Sequence, residues 1–257
     1  MITAAGATHP GPVRPINEDA FLCDEQEGLF VIADGMGGHS AGEVASTLAI
    51  ETIRAFLTKT RAGENVTWPY GIDPTLSFDS NRLLTAVKRA NHRVFKAAES
   101  REDYTGMGTT VVAALVSGDR LMFVNVGDSR LYTLADGALV QLTEDDTWVK
   151  LTNGLDPRIL AQHPMRHVLT NVIGARDQIE CSVHERMLGA AETLLLCTDG
   201  LHGPADATTI GTVLRAEDPP AVVAERLVQS ALERGGRDNV TVLVMRYQTD
   251  TTAGSGR

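Results

Sequence analysis

Residues 109–142, TTVVAALVSGDRLMFVNVGDSRLYTLADGALVQL, contain four apolar runs that are joined by short turn sequences. The runs occupy residues 109–116, 121–126, 130–134 and 139–142. Connections this short join antiparallel neighbours, because a parallel crossover needs about a dozen residues or more. The stretch therefore predicts consecutive antiparallel strands and argues against a doubly wound parallel sheet, which needs a crossover helix between most pairs of strands.

Helical patterns lie on both sides of this stretch. A first helix is predicted from Ser40, which forms a capping box with Glu43, and its alanine-rich face suits close packing on a sheet. A second is predicted with Asp79 as its cap, and a third begins with the prolines at 219–220 and ends at the glycines at 235–236. Strands in the middle and helices outside predict an α+β fold. Its expected form is a four-layer α-β-β-α sandwich of two packed, mainly antiparallel sheets flanked by helices.

The 257 residues are expected to form a single domain, because acidic motifs that suit one site extend from residue 18 to residue 238. We place this domain at residues 1–247 and predict a disordered tail at 248–257. Within the domain, the polar, irregular segment 143–175 suits a lid or flap better than a core element.

Composition narrows the range of partners. The net charge of −10 argues against a general nucleic-acid or anionic-membrane surface. No signal-peptide pattern begins the chain, and nowhere do about 18 apolar residues run together. The three cysteines lack metal-ligand spacing. These features predict a cytoplasmic protein without nucleic-acid or membrane partners.

Five acidic clusters lie far apart in the chain, each near the junction of an apolar run and a turn. They occupy residues 17–19 (Asn-Glu-Asp), 34–39 (Asp-Gly-Met-Gly-Gly-His), 127–130 (Gly-Asp-Ser-Arg), 198–200 (Thr-Asp-Gly) and 237–239 (Arg-Asp-Asn). For a single Asp-Gly pair, a tight turn is the favoured explanation. Several carboxylates brought together, however, would repel one another unless cations neutralised them. Ligation by oxygen alone favours Mg²⁺ or Mn²⁺ over zinc, so the clusters predict a hard-metal site.

The order of these motifs resembles that of the metal-dependent protein phosphatases (PPM, type 2C serine/threonine phosphatases), and most closely the bacterial branch. The matching motifs are Arg14 with 17–19, then 34–39, 106–110 (Gly-Met-Gly-Thr-Thr), 127–130, 198–200 and 237–241 (Arg-Asp-Asn-Val-Thr). The resemblance implies the same sandwich fold and a phosphatase of phosphoserine and phosphothreonine in proteins, counteracting a bacterial Ser/Thr kinase. It also implies two Mn²⁺ or Mg²⁺ ions, with a weaker third ion in bacterial members.

The resemblance implies roles for individual residues. Asp34 would bridge two metal ions, Gly35 would offer its backbone carbonyl, and Asp199 and Asp238 would complete the first ion's shell. A metal-bridging water or hydroxide would then attack phosphorus without forming a phosphoenzyme. Asn239 is expected either to orient Asp238 or to close a turn.

Further positions follow from the same resemblance. Glu18 or Asp19 would hold the second ion, partly through water, and Asp128 with Asp199 would hold the third. Arg14 would bind the substrate phosphate through its guanidinium fork. A turn aspartate is the alternative for Asp128, and a solvated surface arginine is the alternative for Arg14.

The histidines are harder to assign. Animal members carry a histidine, proposed as a general acid, two positions after the bridging aspartate, whereas this chain has Met36 there. His39 is a candidate catalytic residue or a structural hydrogen-bonding group. In the lid, His163 and His167 are expected to be solvated, with His167 a candidate to lie near a phosphoprotein or the third ion. Where some relatives carry an acid after Asp199-Gly200, this chain has Leu-His-Gly.

Two other functions remain open from the sequence. A catalytically silent family member would bind phosphoproteins as a regulator, but it would be expected to lack metal aspartates that are present here. A phosphohydrolase of small phosphoesters would have the same centre, and only the lid would distinguish it. We expect a monomer whose partners are phosphorylated proteins and a Ser/Thr kinase.

Overall fold

A computed structural model describes residues 1–38, 41–61, 67–152, 159–160 and 163–249. The strands are β1 (Ile2–His9), β2 (Asp19–Asp24), β3 (Leu29–Met36), β4 (Gly108–Thr109), β5 (Val111–Ser117), β6 (Arg120–Val126), β7 (Arg130–Ala135), β8 (Ala138–Gln141), β9 (His184–Met187), β10 (Ala191–Cys197) and β11 (Val240–Gln248). The α-helices are α1 (Ala41–Thr60), α2 (Phe78–Ser100), α3 (Asp199–His202), α4 (Ala207–Leu214) and α5 (Pro220–Glu233). Short 3₁₀ helices occupy Glu102–Tyr104 and Trp148–Leu151.

The strands form two antiparallel sheets that pack face to face. One sheet has the order β1-β11-β10-β7-β8, and the other has the order β2-β3-β5-β6-β9, with β4 added beside β3. Helices α1 and α2 share an apolar core with the second sheet, and α4 and α5 share one with the first. A third core of residues from both sheets fills the space between them. The predicted α-β-β-α sandwich is confirmed.

The central strands are apolar on both faces because each face is covered. In β3, Leu29 and Val31 pack toward the helices, while Phe30 and Ile32 pack between the sheets. Strand β10 behaves in the same way, since Leu195 contributes to the helix-side core and its neighbours to the core between the sheets. Continuous apolar runs are typical of strands that are buried on both sides.

One predicted strand pairing is wrong. Strands β5 and β6 pair as expected, and so do β7 and β8. Strand β7 does not pair with β6, however, but crosses to the other sheet and pairs with β10. The crossing occurs at Gly127, whose φ of 101° is readily adopted only by glycine. The short connection at 127–129 is therefore a link between the sheets and not a hairpin.

Several element boundaries also differ from the predictions. The cap of α2 is Ser77, whose hydroxyl accepts a 3.1 Å hydrogen bond from the Ser80 amide, whereas Asp79 lies in the first turn. The aspartate at 34 lies inside β3 and does not follow it. Strand β11 continues through Gln248, one residue past the predicted domain end, and residues 250–257 lie outside the described residues.

The predicted lid, residues 143–175, is described except at 153–158 and 161–162. Its two ends are tied together, because the Trp148 amide donates to the Val168 carbonyl at 2.8 Å and the Thr170 amide donates to the Asp146 carbonyl at 2.8 Å. Near the start of this segment, Trp148–Leu151 form a 3₁₀ helix. None of the described helices is long and apolar enough to cross a membrane.

Candidate functional site

Five aspartates from distant parts of the chain meet at one end of the sandwich. In the antiparallel pair β2–β3, Asp19 lies directly opposite Asp34. On the other sheet, Asp199 begins α3 immediately after β10, and Asp238 lies just before β11. The link between the sheets carries Asp128, which is only 7% exposed. The predicted clusters are thus brought together by strand ends, a helix start and the crossing between sheets.

Electrostatic repulsion marks Asp34 as the centre of this group. Burial raises the pKa of Asp34 well above its ordinary range, and the charges of Asp19, Asp199, Asp128 and Asp238 raise it further, in that order. Burial also raises the pKa of Asp19 to about 7 and that of Asp128 to about 7, and the charge of Asp199 adds to both shifts. Such a group of carboxylates accepts protons or cations readily.

The Gly-Met-Gly-Thr-Thr motif at 106–110 holds the backbone of Asp34. The Asp34 amide donates to the Thr110 hydroxyl at 3.1 Å, and its carbonyl accepts from the Thr110 amide at 2.8 Å and from the Thr109 hydroxyl at 2.9 Å. The Thr110 hydroxyl also lies 2.7 Å from the Ser129 hydroxyl. These bonds connect Asp34 to the link that carries Asp128, a role for the two threonines that the sequence motif alone did not reveal.

Glycines follow two of the aspartates because the backbones approach too closely for a side chain. A Cβ atom at Gly35 would lie 2.1 Å from the Gly42 carbonyl oxygen and 2.6 Å from the Glu18 carbonyl oxygen. At Gly200, a Cβ atom would lie 1.9 Å from the Asn239 carbonyl oxygen. Any other residue at either position would push the site apart. The predicted ligand role of the Gly35 carbonyl stays a prediction.

Asn239 anchors the loop that carries Glu18. Its side-chain oxygen accepts from the Glu18 amide at 2.8 Å. Its side-chain nitrogen donates to the carbonyls of Pro10 and Ile16 at 2.9 and 3.0 Å. The side chain thus fastens the 10–18 loop to the start of β11, whereas the Asn239 backbone amide donates to Asp238 Oδ1 at 2.9 Å. Sequence alone could not show this, because the partners are more than 220 positions away.

Arg14 reaches the aspartate group from the same loop. Its Nη2 atom donates to Asp238 Oδ2 at 2.8 Å, and its side chain is 52% exposed. The hydrogen bond and charge of Asp238 raise the pKa of Arg14 above its ordinary value. With one contact to Asp238, the guanidinium keeps N–H groups that are free to meet an anion from solution.

His202 contacts the link between the sheets. It closes the short helix α3, and its Nε2 lies 3.0 Å from the backbone oxygen of Asp128. Burial lowers the pKa of His202 to about 4, so the imidazole is neutral near pH 7 and its N–H donates to that carbonyl. The contact joins the segment of Asp199 to that of Asp128. This residue was noted in the sequence only as a departure from the family pattern.

Of the three remaining candidate histidines, the structure describes two. His39 lies outside the described residues. His163 is stacked on Trp148, with ring centroids 4.2 Å apart, so the expectation of a simply solvated side chain is wrong. Burial and the charge of Asp238 raise the pKa of Asp199, and an opposing contribution from His167 places this residue of the predicted lid near the aspartates.

Two carboxylate oxygens of the site have no hydrogen-bond partner among the described residues. Glu18 Oε1 and Asp19 Oδ1 are buried and have no hydrogen-bond partner. Unpaired buried carboxylate oxygens are costly, and a cation satisfies them. Within the described ranges, no group of three Asp, Glu, His or Cys side chains is arranged so that it could hold a metal ion by itself. The two unpaired oxygens fit an ion that takes its other ligands from water, as Mg²⁺ and Mn²⁺ do.

Comparisons with known proteins agree with this chemistry. The sequence profile of the family described as Protein phosphatase 2C matches residues 13–240. The serine/threonine protein phosphatase PstP of Mycobacterium tuberculosis is 37% identical over 247 residues, which are 95% of this chain and 45% of PstP. The serine/threonine phosphatase Stp of Listeria monocytogenes is 32% identical and is covered to 93%, as is this chain.

A solved structure matches the fold and the chain length. The catalytic domain of PstP, determined in complex with 2 manganese ions, superposes with a TM-score of 0.79 at 35% identity. The match covers 95% of this chain and 97% of that domain. The chain thus spans less than half the length of full PstP but almost all of its catalytic domain.

Proposed function

The chain belongs to the protein phosphatase 2C (PPM) family, and on this premise we propose that it is a metal-dependent phosphatase of phosphoserine and phosphothreonine in proteins. The observation that carries the proposal is the buried aspartate group around Asp34, in which carboxylates raise one another's pKa and Asp19 Oδ1 lacks a partner. The PstP domain, which has a matching fold and binds 2 manganese ions, supports the same chemistry here.

The proposed cofactors are two Mn²⁺ or Mg²⁺ ions. Asp34 would contribute to both ions. Gly35, Asp199 and Asp238 would complete the ligands of the first ion, and Glu18 or Asp19 would hold the second. Asp128 with Asp199 would hold a weaker third ion. When bound, such ions lower the pKa of a water molecule and stabilise negative charge on phosphate oxygens. Burial of the aspartates strengthens both effects, because electrostatic interactions are larger where water is excluded.

Arg14 would bind the phosphate group of the substrate. Its guanidinium is held by Asp238 at the edge of the site and is half exposed, so a phosphorylated side chain on another protein can reach it. The planar fork offers paired N–H donors to phosphate oxygens, and this orients the phosphorus toward the aspartate group. Asp238 would thus serve the metal site and also fix the position of the phosphate-binding group.

The two competing functions differ in what they require. A silent phosphoprotein-binding regulator would not need the aspartates, yet Asp34, Asp199 and Asp238 are all present and lie together. A phosphohydrolase of small phosphoesters would use the same centre, so activity toward a protein or peptide is the distinguishing property. The Ser/Thr kinase partner, the monomeric state and the cytoplasmic location stay predictions from the sequence.

The test is hydrolysis of a phosphothreonine peptide by the full chain with Mn²⁺, with Mg²⁺ and after dialysis against EDTA. We expect activity that depends on added metal and is lost on chelation. Asp34→Asn should abolish most of the activity, whereas the matched change Asp136→Asn should leave it unchanged, since Asp136 lies in an exposed turn between β7 and β8. Full activity in excess EDTA would rule out the proposed metal chemistry.

A further inference from the structure

A chain of hydroxyl groups holds one oxygen of Asp19. Asp19 is 9% exposed, and its Oδ2 accepts from the Thr241 hydroxyl at 2.6 Å and from the Thr198 hydroxyl at 3.2 Å. Asp19 begins β2 in one sheet, whereas Thr241 lies in β11 and Thr198 follows β10 in the other. The carboxylate is therefore held by threonines across the space between the two sheets.

The direction of every hydrogen bond in this chain is determined by its donors. The Thr198 hydroxyl accepts from the Thr241 amide at 3.0 Å, so its own proton is free to go to Asp19. The Thr241 hydroxyl gives its proton to Asp19 and accepts from the Thr8 hydroxyl at 2.7 Å. The Thr8 hydroxyl accepts from the Asn17 side chain at 2.9 Å, and the Asp19 amide donates to Asn17 Oδ1 at 3.2 Å. The chain closes into a ring through the backbone amide of Asp19.

The other oxygen of Asp19 has no such partner. Among the described residues, the buried Asp19 Oδ1 has no hydrogen-bond partner, and Asp34 lies directly opposite Asp19 across the β2–β3 pair. A carboxylate is held in one orientation when one of its oxygens accepts two hydrogen bonds and the other accepts none. Rotation about its last side-chain bond would break two hydroxyl contacts in a buried place, where lost hydrogen bonds cost most.

We propose that Thr241 and Thr198 are positioning residues, which lock the Asp19 carboxylate so that Oδ1 faces the cation site beside Asp34. This inference rests on the proposed function, because it assumes that cations bind there. Each threonine is also close in sequence to a proposed ligand, since Thr198 precedes Asp199 and Thr241 lies three positions after Asp238. The same two segments would therefore supply ligands to one ion and orient a ligand of the other.

The measurement is the affinity of the metal-free full chain for Mn²⁺, determined by titration calorimetry. Thr241→Val keeps the shape of the side chain and removes the hydroxyl, and it should weaken Mn²⁺ binding about tenfold, at the lower end of the range for groups that orient metal ligands. Thr241→Ser restores the hydroxyl and should recover most of the wild-type affinity. Thr198→Val should weaken binding by a smaller factor, because its contact to Asp19 is longer.

Thr133→Val is the matched control. The Thr133 hydroxyl likewise donates to a buried carboxylate, Glu192 Oε2, at 2.9 Å, but that carboxylate is paired with Arg186. The control should lose stability as Thr241→Val does and keep wild-type Mn²⁺ affinity. If Thr241→Val does not fold, as judged by circular dichroism, Thr198→Val carries the test.

The outcomes separate the two proposals. If the wild-type chain binds no Mn²⁺, the proposed function fails. If the wild-type chain binds Mn²⁺ and Thr241→Val binds equally well, only the positioning role is overturned. Equal losses in Thr241→Val and Thr133→Val would also overturn it, because the effect would then follow from general destabilisation.

Discussion

Two buried carboxylate sites in this protein show opposite electrostatics. Glu192, at the start of β10, is 5% exposed and accepts from both terminal nitrogens of Arg186 at 2.7 and 2.8 Å. Although burial raises its pKa, the Arg186 hydrogen bonds leave the pKa of Glu192 lowered. Asp19 and Asp34, on the other sheet, have raised pKa values and no such arginine.

The difference lies in where the positive charge comes from. The fold provides its own cation for Glu192, and that arrangement is complete without a ligand. At the aspartate group, the only basic contact among the described hydrogen bonds is Arg14 at its exposed rim, on Asp238. Carboxylates that are buried close together without a positive partner destabilise the fold unless a cation binds to them. The comparison thus separates a structural ion pair from the proposed metal site, and it is testable.

The largest expected effect is on catalysis at Asp34. Asp34→Asn should lower kcat by at least about a hundredfold, because the central carboxylate of the metal site is lost. The same change should raise the melting temperature of the EDTA-treated protein, since it removes one member of a repelling group. Steady-state kinetics with Mn²⁺ test the expected loss of kcat, and a thermal melt in EDTA tests the expected rise in melting temperature. Near-normal turnover would mean that the catalytic centre lies elsewhere.

Glu192→Gln should show the reverse pattern. It leaves Arg186 without its partner and should lower the free energy of unfolding by about 2 kcal/mol, the size typical of a hydrogen bond to a charged group. Because Glu192 does not belong to the aspartate group, kcat at saturating Mn²⁺ should change by less than about twofold. Urea unfolding and kinetics on the same sample check this. Unchanged stability would show that the pair adds nothing to the fold.

The two sites should also respond to pH in opposite directions. The folded pKa of Asp19 and of Asp128 is about 7, above the value of about 3.9 for an unfolded aspartate. Their ionisation therefore lowers the free energy of unfolding of the metal-free protein as pH rises from about 4 to about 7. The lowered pKa of Glu192 has the opposite sign, since its stabilisation is present above about pH 4.3 and is lost in acid.

The test is the free energy of unfolding in EDTA, measured across this pH range. Comparing wild type with Asp128→Asn isolates the contribution of an aspartate. The variant should show a smaller loss of stability as pH rises, because one group with a raised pKa is gone. Saturating Mn²⁺ should likewise reduce the loss of wild-type stability as pH rises. Identical pH dependence in the two proteins would show that Asp128 does not carry this penalty.

The aspartate group could be predicted from the sequence, whereas the crossing between the sheets and the Glu192–Arg186 pair could not, for physical reasons. The aspartates were found because each lies near a strong local signal, an apolar run that meets a turn. The crossing at Gly127 was predicted wrongly as a hairpin, because connection length does not reveal that β7 pairs with β10. Local sequence also gives no sign of which acid will meet an arginine, so Glu192 and Arg186 were not noticed.

The supporting residues were missed for a similar reason. Thr198 and Thr241 belong to two of the motifs, but the sequence gives neither a role. Their importance comes from the carboxylate to which both donate across the two sheets. Strand β1 was also not predicted, since its sequence ITAAGATH has few large apolar residues. Contacts between distant segments decide these features, whereas sequence patterns report mainly on neighbours along the chain.

A smaller effect is expected at the rim of the aspartate group. Arg14→Ala should raise KM for a phosphopeptide about tenfold and change kcat less, because a phosphate contact present in both ground and transition states affects binding mainly. Arg61→Ala is a suitable control, since Arg61 is also an exposed arginine paired with a carboxylate, that of Glu27. Equal kinetic constants for wild type and Arg14→Ala would show that Arg14 is a solvated surface residue and does not bind the phosphate.

The smallest expected effect concerns the lid, which should influence the choice of substrate and not the cleavage itself. The lid carries His167 near Asp199 and exposes the apolar side chains of Met165 and Val168, which are 42% and 46% exposed. A peptide extends beyond the aspartate group and can touch these side chains, whereas p-nitrophenyl phosphate is too small to do so. Met165→Ser and Val168→Ser should therefore change kcat/KM for a phosphopeptide by a few-fold, on the order of 1 kcal/mol for lost apolar contact.

Hydrolysis of p-nitrophenyl phosphate by the same variants should stay within experimental scatter of wild type. Val140→Ser supplies the control, because Val140 is a comparably exposed apolar residue on β8, outside the lid. Equal changes on both substrates would contradict the division between a lid that selects and an aspartate group that cleaves. Such a result would instead indicate that the lid affects the cleavage site itself, through the hydrogen bonds between Asp146 in the lid and Gly127 in the link between the sheets.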